Sequence, residues 1–131
     1  MKRNRRLIEG LYVWTGALLN VHEVDSAYWQ EWNLFGWSWS IQTFVIASLV
    51  LAVPFMYGLV WLVRAPRIGA RFALALSFLG VAAFGIHAWF LLQGRPEFRT
   101  PVSIGVLVVA LFTSLGLAWQ SIRLLRSTAE E

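Results

Sequence analysis

The stretch His22-Glu23-Val24-Asp25-Ser26-Ala27-Tyr28-Trp29-Gln30-Glu31-Trp32 gathers one of two histidines and three of seven acidic residues into eleven positions. The chain is 58% hydrophobic and only 14% charged, so ionisable groups beside an apolar helix need a partner or a role. Imidazole and carboxylate together support three kinds of chemistry. Two imidazoles with one or two carboxylates meet the ligand needs of Zn²⁺ or non-haem iron. A carboxylate that orients an imidazole makes a general acid or base. Two histidines on separate helices can also hold a b-type haem from its two axial sides. His-Glu-Val-Asp is not the H-E-x-x-H metal motif, so spacing alone leaves all three open.

The second histidine supplies a partner. His22 lies fifteen residues past Leu7, and His87 fifteen past Phe72. Both imidazoles therefore sit ~22 Å along their apolar runs, at a rise of ~1.5 Å per residue. Helical spacing places Thr15, Leu18, His22, Asp25 and Ser26 on one stripe, and Leu76, Gly80, Ala83 and His87 on another. Gly80 and Ala83 would let the helices approach closely. Glu23 points ~100° away from His22, and Glu31, on a continuous helix, almost opposite it. The expected site is an outer-facing polar pocket of His22, Asp25, His87, Gln42 and Ser103, with Glu23 at its edge. His22, Asp25 and His87 are its metal-ligand candidates, and Glu31 is expected at the membrane interface.

Four helices must position these groups. Runs at 41–63, 72–92 and 102–124 each supply the ~20 apolar residues that cross a ~30 Å hydrocarbon layer. A first helix, expected over 7–32, is interrupted by Glu9, Asn20, His22 and Glu23. Short connections favour neighbouring antiparallel helices, so the expected fold is all-α: an integral membrane up-down-up-down four-helix bundle, one transmembrane domain over 1–131. Pro54 removes a backbone donor inside the second helix, where a kink is expected.

Charge orients the bundle. Lys2, Arg3, Arg5, Arg6, Arg64, Arg67, Arg71, Arg123 and Arg126 fall on one side, which is nine of eleven basic residues. Both termini are therefore expected to be cytoplasmic. The net charge of +4 then reflects topology and attraction to an anionic lipid bilayer, not nucleic acid. Trp29, Trp32, Trp37, Trp39 and Trp89 read as an outer aromatic belt. With no small-x-small cleavage site after the basic start, the first helix reads as a retained anchor. The absence of cysteine removes disulfides and thiolate ligands. Transport is disfavoured, because four helices with no inverted repeat form a pore only as an oligomer.

The run from Leu19 to Trp32, followed by Phe35-Gly36 and Ile41-Gln42, resembles a family of small bacterial four-helix membrane proteins of unknown function. Its signature has the form H-E-[IV]-D-x-A-Y-W-x-E-W, and His87 and the Phe98…Pro101…Ser103 segment are similar to that family too. The resemblance covers nearly the whole chain and implies a bacterial inner (plasma) membrane location without any assigned chemistry. The turn Gly36-Trp37-Ser38-Trp39-Ser40 departs from the family pattern by lacking a second glycine. The favoured expectation is a ligand- or metal-binding module, or an accessory subunit of a larger membrane complex or homo-oligomer. The alternatives are a membrane enzyme using His/carboxylate acid–base chemistry on a lipid or isoprenoid, and a bis-His haem-binding redox protein.

Overall fold

A computed structural model describes residues 2–95 and 99–127. It is all-helical: α1 (Lys2–Trp29), a short 3-10 helix (Glu31–Phe35), α2 (Ile41–Arg64), α3 (Pro66–Leu92) and α4 (Pro101–Ser127). Phe98, read above as part of the family-like segment, lies outside the described residues. Helices α2, α3 and α4 are each long and apolar enough to cross a membrane. Their outward faces carry exposed Val45, Ile46, Leu49, Val50, Phe78 and Phe112, an apolar surface fit for lipid. α1 spans 28 residues but carries charge at both ends.

The helix ends follow from local chemistry. Ser40 caps α2, its hydroxyl accepting from the Thr43 amide at 3.2 Å. At α4, Thr100 accepts from the Ser103 amide at 3.2 Å and Pro101 takes the first helical position. α3 begins at Pro66 rather than at 72, because a proline at the first position loses no helical hydrogen bond. Arg67 and Arg71, expected in a connection, are therefore on the helix. Ala65 alone joins α2 to α3. That turn demands a glycine: a Cβ on Gly69 would collide with the backbone of Leu62. α2 continues through Pro54 without interruption.

The packed core sits toward one end of the bundle. Ile8 and Tyr12 of α1 meet Leu62 of α2, Ala73 and Leu76 of α3, and Leu117 of α4. The Tyr12 hydroxyl donates to the Phe55 carbonyl at 2.7 Å, and Arg5 donates to the Val63 carbonyl near the C-terminal end of α2. Arg5 also pairs with Glu9 at 3.0 Å. These contacts, with Glu23 to Ser48, pair α1 and α2 in reversed order, so the two run antiparallel. α3 and α4 approach closely through small residues: a Cβ on Gly80 would strike Ser114, and Ala110 is fully buried. Ser77 and Ser121 return their hydroxyls to the carbonyls of Ala73 and Leu117, each at 2.7 Å, so these two buried hydroxyls are not stranded. α2 joins this core only through its second half, where Gly58 and Leu62 are its buried residues.

Candidate functional site

The end of α1 creates the site. A continuous helix would turn Glu31 away from His22, nine residues earlier. The helix instead stops at Trp29, and Gln30 takes a left-handed backbone (φ 51°, ψ 49°). This reverses the chain into the 3-10 helix, which ends in a second left-handed residue, Gly36 (φ 71°). Glu31 is thereby folded back beneath the last turn of α1 and is buried with Trp32. Trp32 leaves the expected aromatic belt and packs on Phe44 of α2, ring centroids 4.8 Å apart.

Three buried side chains meet there. The Ser26 hydroxyl donates to Glu31 Oε2 at 2.6 Å and lies 3.5 Å from His22 Nε2. The His22 and His87 rings meet edge to face, centroids 4.6 Å apart at 85°. One donor atom from each of His22, Glu31 and His87 lies within 4.8 Å of the others. Each residue is no more than 7% exposed, so bulk water does not screen their charges.

Hydrogen bonding decides what His87 presents. Its Nδ1 lies 2.7 Å from the Ala83 carbonyl oxygen, which only accepts, so Nδ1 carries a proton. Its Nε2 faces both carboxylate oxygens of Glu31, at 3.1 and 3.2 Å. In a neutral ring that nitrogen offers a lone pair, and a lone pair against a carboxylate is repulsive. A positive charge must lie between them: a proton, making a hydrogen-bonded His–Glu pair, or a metal ion. Taking such a pair out of water costs several kcal/mol per ion, so it specifies geometry more than it stabilises.

The expected pocket is thus partly reassembled. His22 and His87 come together with their rings in contact, as their matched positions along the apolar runs allow. Asp25 is half-buried and stays outside the trio. Glu23 accepts from Ser48 of α2 at 2.7 Å, on the flank. Gln42 is exposed, on a surface depression with Ile41, Val45 and Ile46. Ser103 is buried, but its hydroxyl is 2.5 Å from that of Thr100, where it serves the start of α4. Glu31 is the residue that helical extrapolation misses. The one sequence signal for it is the signature motif of the resemblance, which begins on His22 and includes Glu31.

The trio opens onto a cavity of about 480 Å³ between α1, α2, α3 and the 3-10 helix. Polar side chains in its lining include His22, Glu23, Ser26, Glu31, Ser48 and His87; Gly16, Leu19, Leu51, Phe55, Leu59 and Leu76 are among its apolar walls. A family model described as "Family of unknown function (DUF6713)" matches residues 8–124. The chain belongs to this family. The matched span contains all three residues of the trio. Neither the curated proteins nor the solved structures contain a match.

Proposed function

We propose that this chain is a four-span membrane protein in which His22, Glu31 and His87 hold a divalent transition metal of the Zn²⁺ class. The observation that carries this reading is the convergence of three buried donor atoms within 4.8 Å. Two imidazoles and a carboxylate form a known zinc donor set, and three protein ligands leave a fourth position open. Metal bonds of ~2.0–2.2 Å put neighbouring donors about 3.4 Å apart on a tetrahedral ion. The His87–Glu31 pair, at 3.1 and 3.2 Å, lies close to that spacing, and the three donors lie within 4.8 Å of one another. The groups that would orient the ligands are in place as well: Ala83 holds His87, and Ser26 holds Glu31. A haem is disfavoured, because axial imidazoles must stand on opposite faces of the macrocycle. Here the rings touch edge to face at 4.6 Å with Glu31 bonded to one of them.

In this reading α1 is the fourth span and the bundle runs up-down-up-down. The positive-inside rule supports both termini and the Ala65 turn on the cytoplasmic side of a bacterial inner membrane, because nine of eleven basic residues fall on one side of a four-span chain. The trio then lies toward the outer side. The H-E-[IV]-D-x-A-Y-W-x-E-W signature becomes the family's mark of this centre, since His22 and Glu31 are its first and tenth positions.

The test is zinc titration of the purified protein in detergent, against a chromophoric chelator. One equivalent binds, and His22→Ala, Glu31→Gln and His87→Ala each weaken it by about 100-fold or more, exceeding the ~10–100-fold cost of losing a residue that only orients a ligand. Asp25→Asn leaves affinity unchanged. A wild-type protein that takes up no stoichiometric metal, or an Asp25→Asn variant as damaged as Glu31→Gln, overturns the reading.

A further inference from the structure

The cavity is larger than a metal ion needs, and its walls are sorted. Polar side chains come from α1 positions 20–26, Glu31, Ser48 and His87; from there down to Tyr12 the lining is apolar. The hydroxyl of Tyr12 at the far end is already bonded to Phe55. About 480 Å³ falls within the ~300–1,000 Å³ of sites that enclose a small organic molecule. Val13 of α1 and Leu51 and Met56 of α2 line it and are exposed, so it has a lateral opening between these two helices; Phe35, Trp37 and Trp39, also exposed, line its outer end. The first half of α2 has no buried residue, which leaves this seam open sideways to the hydrocarbon. An entrant through this seam comes from the lipid phase, and its apolar part has the wall from Leu19 down to Tyr12 to follow.

We propose that the cavity takes a single-chain amphiphile with an uncharged hydroxyl head, a long-chain or isoprenoid alcohol, its head at His22 and Glu31 and its tail along Gly16 and Phe55. Tail and mouth follow from the cavity alone; the choice of head rests on the metal reading above. A cation at the trio repels an ammonium head, and Glu23 and Glu31 repel a third carboxylate. A hydroxyl donates to a carboxylate and offers a neutral oxygen to His22 or to an open metal position.

Gly16 makes this testable. A Cβ there meets nothing within 4 Å and Gly16 lines the cavity, so Gly16→Leu fills the tail path without forcing the helices apart. Gly85 is also free of contacts but is not part of the lining, so Gly85→Leu is the matched control. Zinc-loaded protein is released from detergent micelles for native mass spectrometry after incubation with hexadecanol, palmitic acid or hexadecylamine. We expect a one-to-one hexadecanol adduct, at least 10-fold reduced in Gly16→Leu and unchanged in Gly85→Leu, with bound zinc retained in both. An adduct insensitive to Gly16→Leu, no adduct with any probe, or a dimer in place of an adduct overturns the proposal. Preference for the acid or the amine overturns the assignment of the head. The zinc mass is read in the same spectra, so a hexadecanol adduct on metal-free protein defeats the metal reading and leaves the cavity standing, whereas zinc without an adduct does the reverse.

Discussion

Replacing Glu31 with glutamine separates a metal ligand from a buried counter-ion. The substitution keeps the side chain's size, and its amide oxygen can still accept from Ser26, now 2.6 Å from Oε2. Its amide nitrogen, in the place of Oε1, can donate to His87 Nε2, 3.2 Å away. With chelator present, one charged hydrogen bond thus becomes one neutral hydrogen bond, and stability should fall by only about 1 kcal/mol. Zinc changes the comparison. At a free concentration ~100 times the dissociation constant, binding to the folded state alone stabilises wild type by about 2.7 kcal/mol. If Glu31→Gln weakens binding ~100-fold, the same zinc concentration stabilises the variant by only about 0.4 kcal/mol. The assay is reversible unfolding in mixed micelles, followed by tryptophan fluorescence, with chelator or with zinc. Two results would refute the reasoning. One is an equal zinc response in both proteins. The other is no zinc response in wild type with a loss of ~3–5 kcal/mol for Glu31→Gln in chelator, the signature of a charged His87 left without its partner.

Other substitutions probe the scaffold. Gln30→Gly supplies the residue that the left-handed turn favours; it should stabilise by about 1 kcal/mol in the same unfolding assay and leave zinc affinity unchanged. Ser26→Ala removes the hydroxyl that orients Glu31, and chelator competition should show affinity ~10–100-fold weaker with helical content intact. Gly69→Val drives a side chain into the Leu62 backbone and should cost at least ~1–3 kcal/mol, or prevent folding. Tyr12→Phe loses the bond to the Phe55 carbonyl, a change of ~0.6–2 kcal/mol measurable by unfolding, with no effect on zinc.

How much of this was legible in the sequence depends on what fixed each feature. The apolar runs declare α2, α3 and α4, because crossing hydrocarbon requires length and composition and little else. The meeting of His22 with His87 was legible for a related reason: helical rise is constant, so equal counts from the starts of the apolar runs give equal depths. The start of α3 at Pro66 was obscured by Arg67 and Arg71, whose charge suggests a connection although both sit on the helix. Glu31 was hidden by one backbone angle. The reversal at Gln30 uses no glycine and no proline, so no local residue preference announces it, and a wheel drawn through it turns the carboxylate to the wrong face. Ser103 and Gln42 were drawn into the pocket by their depth alone. Depth does not give direction, and Ser103 bonds Thr100 while Gln42 faces outward.

The most direct measurement is zinc-edge X-ray absorption on the loaded protein, with His22→Ala and His87→Ala as controls. The wild type should show two imidazole nitrogens and oxygen ligands at about 2.0–2.2 Å, and each variant should lose one imidazole. Zinc surrounded by oxygen alone, or an imidazole signal that survives both substitutions, would contradict a metal centre built from His22, Glu31 and His87.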